Sequence, residues 1–176
     1  MKTPVFGRVV VPIEFDTVAD REIHVDHSYE LGANTWVTTG PATMQALGLA
    51  AQLAREEIIL VHATPDLTRS VLCTGMGDGG LPAGALFDLE AAGRKATEKV
   101  LEQICRKWFD GVKASTAVAT GRPLDVITGA VEERNADAVV MAASARGRVR
   151  RAMVGSTADR VVRHANCPVL IVPSPA

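Results

Sequence analysis

The feature that most constrains this chain is a repeated alternation between short, nearly continuous apolar runs and longer segments of helical character. The runs "RVVVPIEF" (Arg8 to Phe15), "EIILVHA" (Glu57 to Ala63), "VKASTAVAT" (Val112 to Thr120), "ADAVVMAA" (Ala136 to Ala143) and "PVLIVP" (Pro168 to Pro173) are each strand length and rich in β-branched residues. Strands covered on both faces read this way. Between them, "PATMQALGLAAQLARE" is rich in good helix formers, and Leu89, Ala92, Ala96, Val100, Ile104 and Trp108 recur at helical spacing. A third helix follows "GRP", with Pro123 suited to its first turn and Ile127, Ala130 and Val131 on one face. A fourth starts near Ser156 and is expected to bury Ala158, Val161, Val162 and Ala165. Alternating strands and helices imply right-handed crossovers and a parallel sheet with helices on both faces.

The 176 residues, 47% of them hydrophobic, supply one well-buried core, and a single domain over residues 1–176 is expected. The apolar runs are too short to span a bilayer, and the N-terminus lacks the layout of a signal peptide, so a cytoplasmic protein is expected. A net charge of -1 offers no bulk attraction to nucleic acid. Cys73, Cys105 and Cys167 are widely spaced and odd in number, which suits reduced, structural thiols.

Two segments interrupt the alternation. Residues 17–40 form an insertion after the first strand, where Ile23, Val25, His27, Tyr29 and Leu31 alternate before "GAN" and "TWVTT"; a β-hairpin is expected, serving as a lid or a second dimer contact. Residues 64–86 form a long loop containing "GMGDGG". That string matches GxGxxG, but no helix immediately follows it, so it reads as a loop and not as a dinucleotide fingerprint.

Candidate chemistry concentrates in "MAASARGRVRRAMVGSTADRVVRHANCPVLIVP", Met141 to Pro173. A small-residue turn ending in Gly155-Ser156-Thr157 at a helix start presents unpaired N–H groups to an anion. Its position after the fourth strand is where a doubly wound sheet places ligands. Elsewhere, "HVDH" (His24 to His27) divides between two faces of a strand and is not expected to bind a metal. His62 reads as a core histidine satisfied by backbone, and His164 as a helix-end residue favoured by the dipole.

These residues carry a resemblance. The strings "VVVPIEF", "IILVHA", "TGRPLDVITGAVEERNADAVVMAA" and "VGSTADRVVRHANCPVLIVP" resemble the universal stress protein family. The resemblance implies a Rossmann-like fold of the adenine-nucleotide-α-hydrolase kind, a five-stranded parallel sheet ordered 3-2-1-4-5. It also implies a homodimer joined through the last strand, here Val169, Leu170, Ile171 and Val172. One branch of the family holds ATP in a G-x-x-G-x(9)-G-S/T loop, and another lacks the pattern and does not bind it. Here Ala142 and Ala145 stand at the first two glycine positions and only Gly155-Ser156 is retained, while Glu14 replaces an aspartate.

The candidate nucleotide site is therefore Pro12, Glu14, Ala63, Ala142, Ala145, Arg146, Gly147, Gly155, Ser156 and Thr157, with Gly147 able to supply a permissive residue in a shifted register. An alanine forced into a left-handed conformation costs roughly 1 to 2 kcal/mol, so ATP or AMP is expected to bind weakly or not at all. No cofactor is required by this reading. The expected function is a homodimeric stress-response or regulatory module. A nucleotide-independent interaction module is the second reading. An adenine-nucleotide-cleaving enzyme is the third, with no catalytic constellation behind it.

Overall fold

The computed structural model describes residues 5–18, 28–32, 35–67, 69, 83–143 and 156–173. Five strands, β1 (Phe6–Pro12), β5 (Ala54–Thr64), β6 (Lys113–Thr120), β7 (Ala138–Ala142) and β8 (Val169–Val172), form one parallel sheet in the spatial order β6-β5-β1-β7-β8. Counting only these strands, that is the order 3-2-1-4-5. Four helices accompany them: α1 (Pro41–Leu53), α2 (Ala83–Trp108), α3 (Pro123–Arg134) and α4 (Ser156–His164).

The pleat of the strands sorts the core into two layers. Val9, Val11, Ile58 and Leu60 face Leu47 of α1 and Leu101 and Ile104 of α2. Val10, Ile59, Val61 and Val139 face Ile127 and Val131 of α3 and Val161 of α4. Because β1 and β5 are covered on both sides, their side chains at alternate positions are equally apolar, which explains the unbroken runs in the sequence. α3 ends in a left-handed cap at Asn135 (φ 47, ψ 53), whose N–H donates to the carbonyl of Glu132. Among the described residues no helix is long and apolar enough to cross a membrane.

The insertion after β1 holds the expected hairpin and one strand more. β3 (Ser28–Gly32) and β4 (Thr35–Thr38) pair antiparallel, and β2 (Asp16–Val18) adds to the far side of β4, giving the order β2-β4-β3. Tyr29 and Val37 are buried against the α1 and α2 layer of the core, so this small sheet covers part of that face. Ile23, Val25 and the "HVDH" residues lie outside the described residues, as does "GMGDGG".

Several boundaries differ from expectation. β1 ends at Pro12, and Ile13, Glu14 and Phe15 continue past the end of the strand. The expected loop over 64–86 is shortened, because α2 begins at Ala83. The expected buried stripe on α2 fails in its first half: Leu89 is 52% exposed, and Phe87 58%. A 26-residue helix extends about 39 Å, whereas the eight residues of β6 extend about 26 Å, so the helix outruns the sheet that its inner face covers. Val162 is also exposed, at 51%, because α4 lies over the short edge strand β8 and buries only a narrow stripe through Ala158 and Val161.

Candidate functional site

A cavity of about 310 Å³ opens at the carboxyl end of the parallel sheet. Its floor is made where strands end: Pro12 and the segment Ile13 to Phe15 after β1, Val61 to Ala63 of β5, and Met141 and Ala142 of β7. Its walls come from the first turns of helices that leave the same end of the sheet, with Thr43 of α1, Pro123 of α3, and Thr157 and Ala158 of α4; Pro65 and Ile127 complete them. The location follows from topology. The chain leaves β1 toward β5 on one side and later returns to β7 on the other, so the crossovers diverge and leave a crevice at the switch point.

Of the residues singled out from the sequence, Pro12, Glu14, Ala63, Ala142 and Thr157 meet around this cavity. Ser156 is the exposed first residue of α4, next to Thr157. Ala145, Arg146, Gly147 and Gly155 lie outside the described residues. Thr43, Pro65, Pro123 and Phe15 line the cavity without having been singled out. Their shared signal is position, at a strand end or in a helix first turn, and not residue type.

Ala142 calls for a correction of the expected energetics. It is the last residue of β7, paired with Val172 of β8, and among the described residues the non-glycine with positive φ is Asn135. No left-handed conformation is imposed on Ala142, so the conformational penalty does not arise there. What remains is its methyl group in the cavity wall.

His62 is likewise more than a core residue. Its Nδ1 donates to the carbonyl oxygen of Ile13 at 2.8 Å, satisfying the backbone contact expected of it, but the residue also lines the cavity. Its ring packs on Phe15, centroids 5.0 Å apart and planes at 40°. Burial pulls its pKa below the ordinary histidine value, against the opposing effects of the Ile13 carbonyl and the nearby Glu14 carboxylate. A second titratable cluster lies toward the other end of β5, where burial opposes ionisation of Glu57 but hydrogen bonds from Ser115 (2.8 Å) and Lys113 prevail and hold its pKa low.

Among the described residues neither thiol is activated: burial pushes Cys105 up to about 11 and raises Cys167, while Cys73 lies outside the described residues. His164 bonds through Nδ1 to the Arg160 carbonyl in the last turn of α4. Among the described residues no group of three metal-ligating side chains is assembled.

Residues 37–173 match the universal stress protein family. The chain belongs to this family. Universal stress protein MJ0531 of Methanocaldococcus jannaschii is 35% identical over 101 residues, a match that covers 54% of this chain and 58% of that protein. The chain thus matches less than two thirds of that relative's length. Universal stress protein MJ0577 of the same organism is 25% identical over 127 residues, covering 68% of this chain and 78% of the relative. The solved structure of MJ0577 superposes with a TM-score of 0.67 at 18% identity, over 98% of this chain and 99% of that one. A universal stress protein family protein of Arabidopsis thaliana, solved with AMP bound, gives a TM-score of 0.54 at 17% identity over 97% and 93% of the two chains. The universal stress protein fold is thereby established for the sheet and its helices.

Proposed function

We propose that this universal stress protein is a homodimeric, cytoplasmic regulatory module whose cavity takes an adenine nucleotide, ATP or AMP, with low affinity. The observation that carries this reading is the convergence of Pro12, Ala63, Ala142 and Thr157 on one cavity at the switch point of the sheet. Thr157 stands in the first turn of α4, where unpaired N–H groups and the positive end of the helix dipole favour a phosphate. The AMP carried by the Arabidopsis relative supports the ligand class. Low affinity follows from alanine standing at sequence positions 142 and 145, where the ATP-holding loop pattern has glycines that let a backbone approach the phosphates.

The module binds and does not turn over its ligand. In support, the Nδ1 of His62 is committed to a backbone carbonyl and not to a carboxylate that would orient the ring as a base. The nucleotide-independent reading is favoured by a separate observation, the place of β8 at the edge of the sheet among the described residues, which permits dimerisation whatever the cavity holds.

Calorimetric titration of ATP and AMP into the native protein and into Ala142→Gly with Ala145→Gly tests the proposal. The glycine variant is expected to bind at least tenfold more tightly. Tight binding by the native protein overturns the assignment of low affinity. Absence of binding by both forms favours the nucleotide-independent module.

A further inference from the structure

The appended sheet β2-β4-β3 is a unit of its own. β4 holds both neighbours, Asp16 to Val18 on one side and Ser28 to Gly32 on the other, and the three strands form a sheet separate from the five-stranded one. Two short connections tie it to the body, between Pro12 and Asp16 and between Thr38 and Pro41. Each is pinned at its body end. The Ile13 N–H donates to the Val61 carbonyl at 2.8 Å and the Ile13 carbonyl accepts from His62 at 2.8 Å, so Ile13 belongs to the body and the first connection turns at Glu14 and Phe15. The Gly40 carbonyl accepts from the Met44 N–H at 3.1 Å as α1 begins, which makes Thr39 the turning point of the second.

Apolar burial docks this unit on the body. Tyr29 and Val37 are buried in the layer of α1 and α2, Leu31 packs beside them, and the Lys107 ammonium lies 5.8 Å from the centre of the Tyr29 ring. The polar atoms carried into the same seam are not matched. Among the described residues, the buried side-chain atoms without a hydrogen-bond partner are the Ser28 and Thr39 hydroxyls, the Tyr29 phenol and Nε1 of Trp108. Three of them belong to the appended sheet and its hinge, and the fourth follows Lys107 at the end of α2, the helix on which β3 packs. Tyr29 and Thr39 are only 4% and 3% exposed, so their hydroxyls lose water on docking and gain no partner. Each loss opposes docking and is relieved when the unit lifts.

We propose that β2-β4-β3 is a flap that lifts from the α1 and α2 layer as one unit, turning at Glu14-Phe15 and at Thr39, while the five-stranded sheet stays folded, and that a ligand in the cavity holds the flap down. The hinges are the reason for the coupling. Ile13, Glu14 and Phe15 line the cavity at one hinge, and Thr43, one turn beyond the other, lines it as well. A ligand that touches these residues fixes the hinge backbone and so favours the docked flap, and by reciprocity the docked flap favours the ligand. This regulation of the cavity rests on its reading as an adenine-nucleotide site; the lifting itself does not.

Native-state hydrogen exchange of the full chain in low denaturant tests the lifting. The amides of β3 and β4 are expected to share one opening with one denaturant dependence, at least about tenfold more frequent than the opening of β1 and β5. A ratio below that, or separate openings that do not respond to denaturant, overturns the flap. Tyr29→Phe and Thr39→Val keep the shape and remove the unmatched hydroxyls, so each is expected to make the shared opening about fivefold rarer or more. A variant that leaves the opening unchanged or makes it more frequent shows its hydroxyl to be matched in solution, which overturns the cause assigned to the weak seam.

Millimolar AMP tests the coupling. At ten times its Kd it is expected to make the flap opening about tenfold rarer. If AMP protects the amides of β1 and β5 against global unfolding but leaves the flap opening unchanged, it binds the docked and lifted forms alike, and the coupling is overturned while the nucleotide site stands. If AMP protects neither set, the nucleotide reading is overturned and the coupling with it, and the lifting stands or falls on the exchange measured without ligand.

Discussion

Dimerisation through β8 makes a prediction that the strand's register sharpens. In the pairing of β8 with β7, the carbonyls of Pro168 and Val172 accept from Val139 and Ala143 at 2.9 and 2.7 Å. A parallel ladder uses every second residue of each strand, so Leu170 also faces β7, while the N–H and C=O of Val169 and Ile171 point to the open edge. A lysine at Leu170 or Val172 is a poor probe, since both side chains belong to the core layer beneath α1. Ile171→Pro is a better one. It removes an outward N–H, leaves the β7 ladder intact, and places its ring where a second copy must approach.

Across a two-fold axis each loss counts twice, so two interchain hydrogen bonds disappear. At a net 0.5 to 1.5 kcal/mol apiece, the dimer weakens by about 1 to 3 kcal/mol, which raises Kd by roughly 5-fold to 150-fold. The half-buried Ile171 side chain also loses packing, about 1 to 2 kcal/mol, so denaturant unfolding must accompany the measurement to show that the monomer is folded. Leu170→Pro is the contrasting variant: it strikes the inward ladder and is expected to damage the monomer more than Ile171→Pro does. Sedimentation velocity across a concentration series reads the association. A folded Ile171→Pro protein that dimerises with the native Kd refutes the β8 interface.

Two further outcomes concern stability. Gly7→Ala would place a Cβ 2.7 Å from Oδ2 of Asp137, whose carboxylate accepts the Arg8 N–H at 2.8 Å while its own N–H donates to the Arg8 carbonyl. Displacing that carboxylate is expected to cost about 1 to 3 kcal/mol and several degrees of Tm, and a Gly7→Ala protein as stable as the native one contradicts the contact. Lowering the pH tests His62: its folded pKa lies below the ordinary 6.5, so its contribution is fully present above that value and is lost as the pH falls through the lowered folded value, with Glu14 the carboxylate nearest to soften the effect. His62→Phe is expected to flatten this part of the stability profile, and an unchanged slope between native and variant rules His62 out as its source.

What the residue pattern discloses and what it conceals divide along a physical line. Runs such as Ile58 to Val61 are apolar at every position because both faces of the strand are buried, and that alone announces a parallel sheet. The same continuity hides where the sheet stops. Ile13 to Phe15 read as more strand, yet they leave the sheet and line the cavity. His62 reads as interior, yet it stands where β5 emerges from the sheet.

Periodicity fails for a related reason. Leu89 and Val162 hold helical spacing with residues that are buried, but spacing carries no information on whether a neighbouring element extends far enough to cover them. β2 escapes notice because three residues, Asp16 to Val18, show no alternation of their own and become a strand only by pairing with Thr38 to Trp36. Ala142 is the reverse case. A glycine-loop template suggests strain at that position, whereas its place in the β7–β8 ladder assigns it ordinary extended backbone. The consequence falls on the site. Any obstruction at Ala142 is one of clearance and not of conformation, so glycine there improves nucleotide binding only if the ligand passes within contact distance of that methyl group. The single change Ala142→Gly, measured beside Ala145→Gly, therefore separates the two alanines that the sequence motif treats as equivalent.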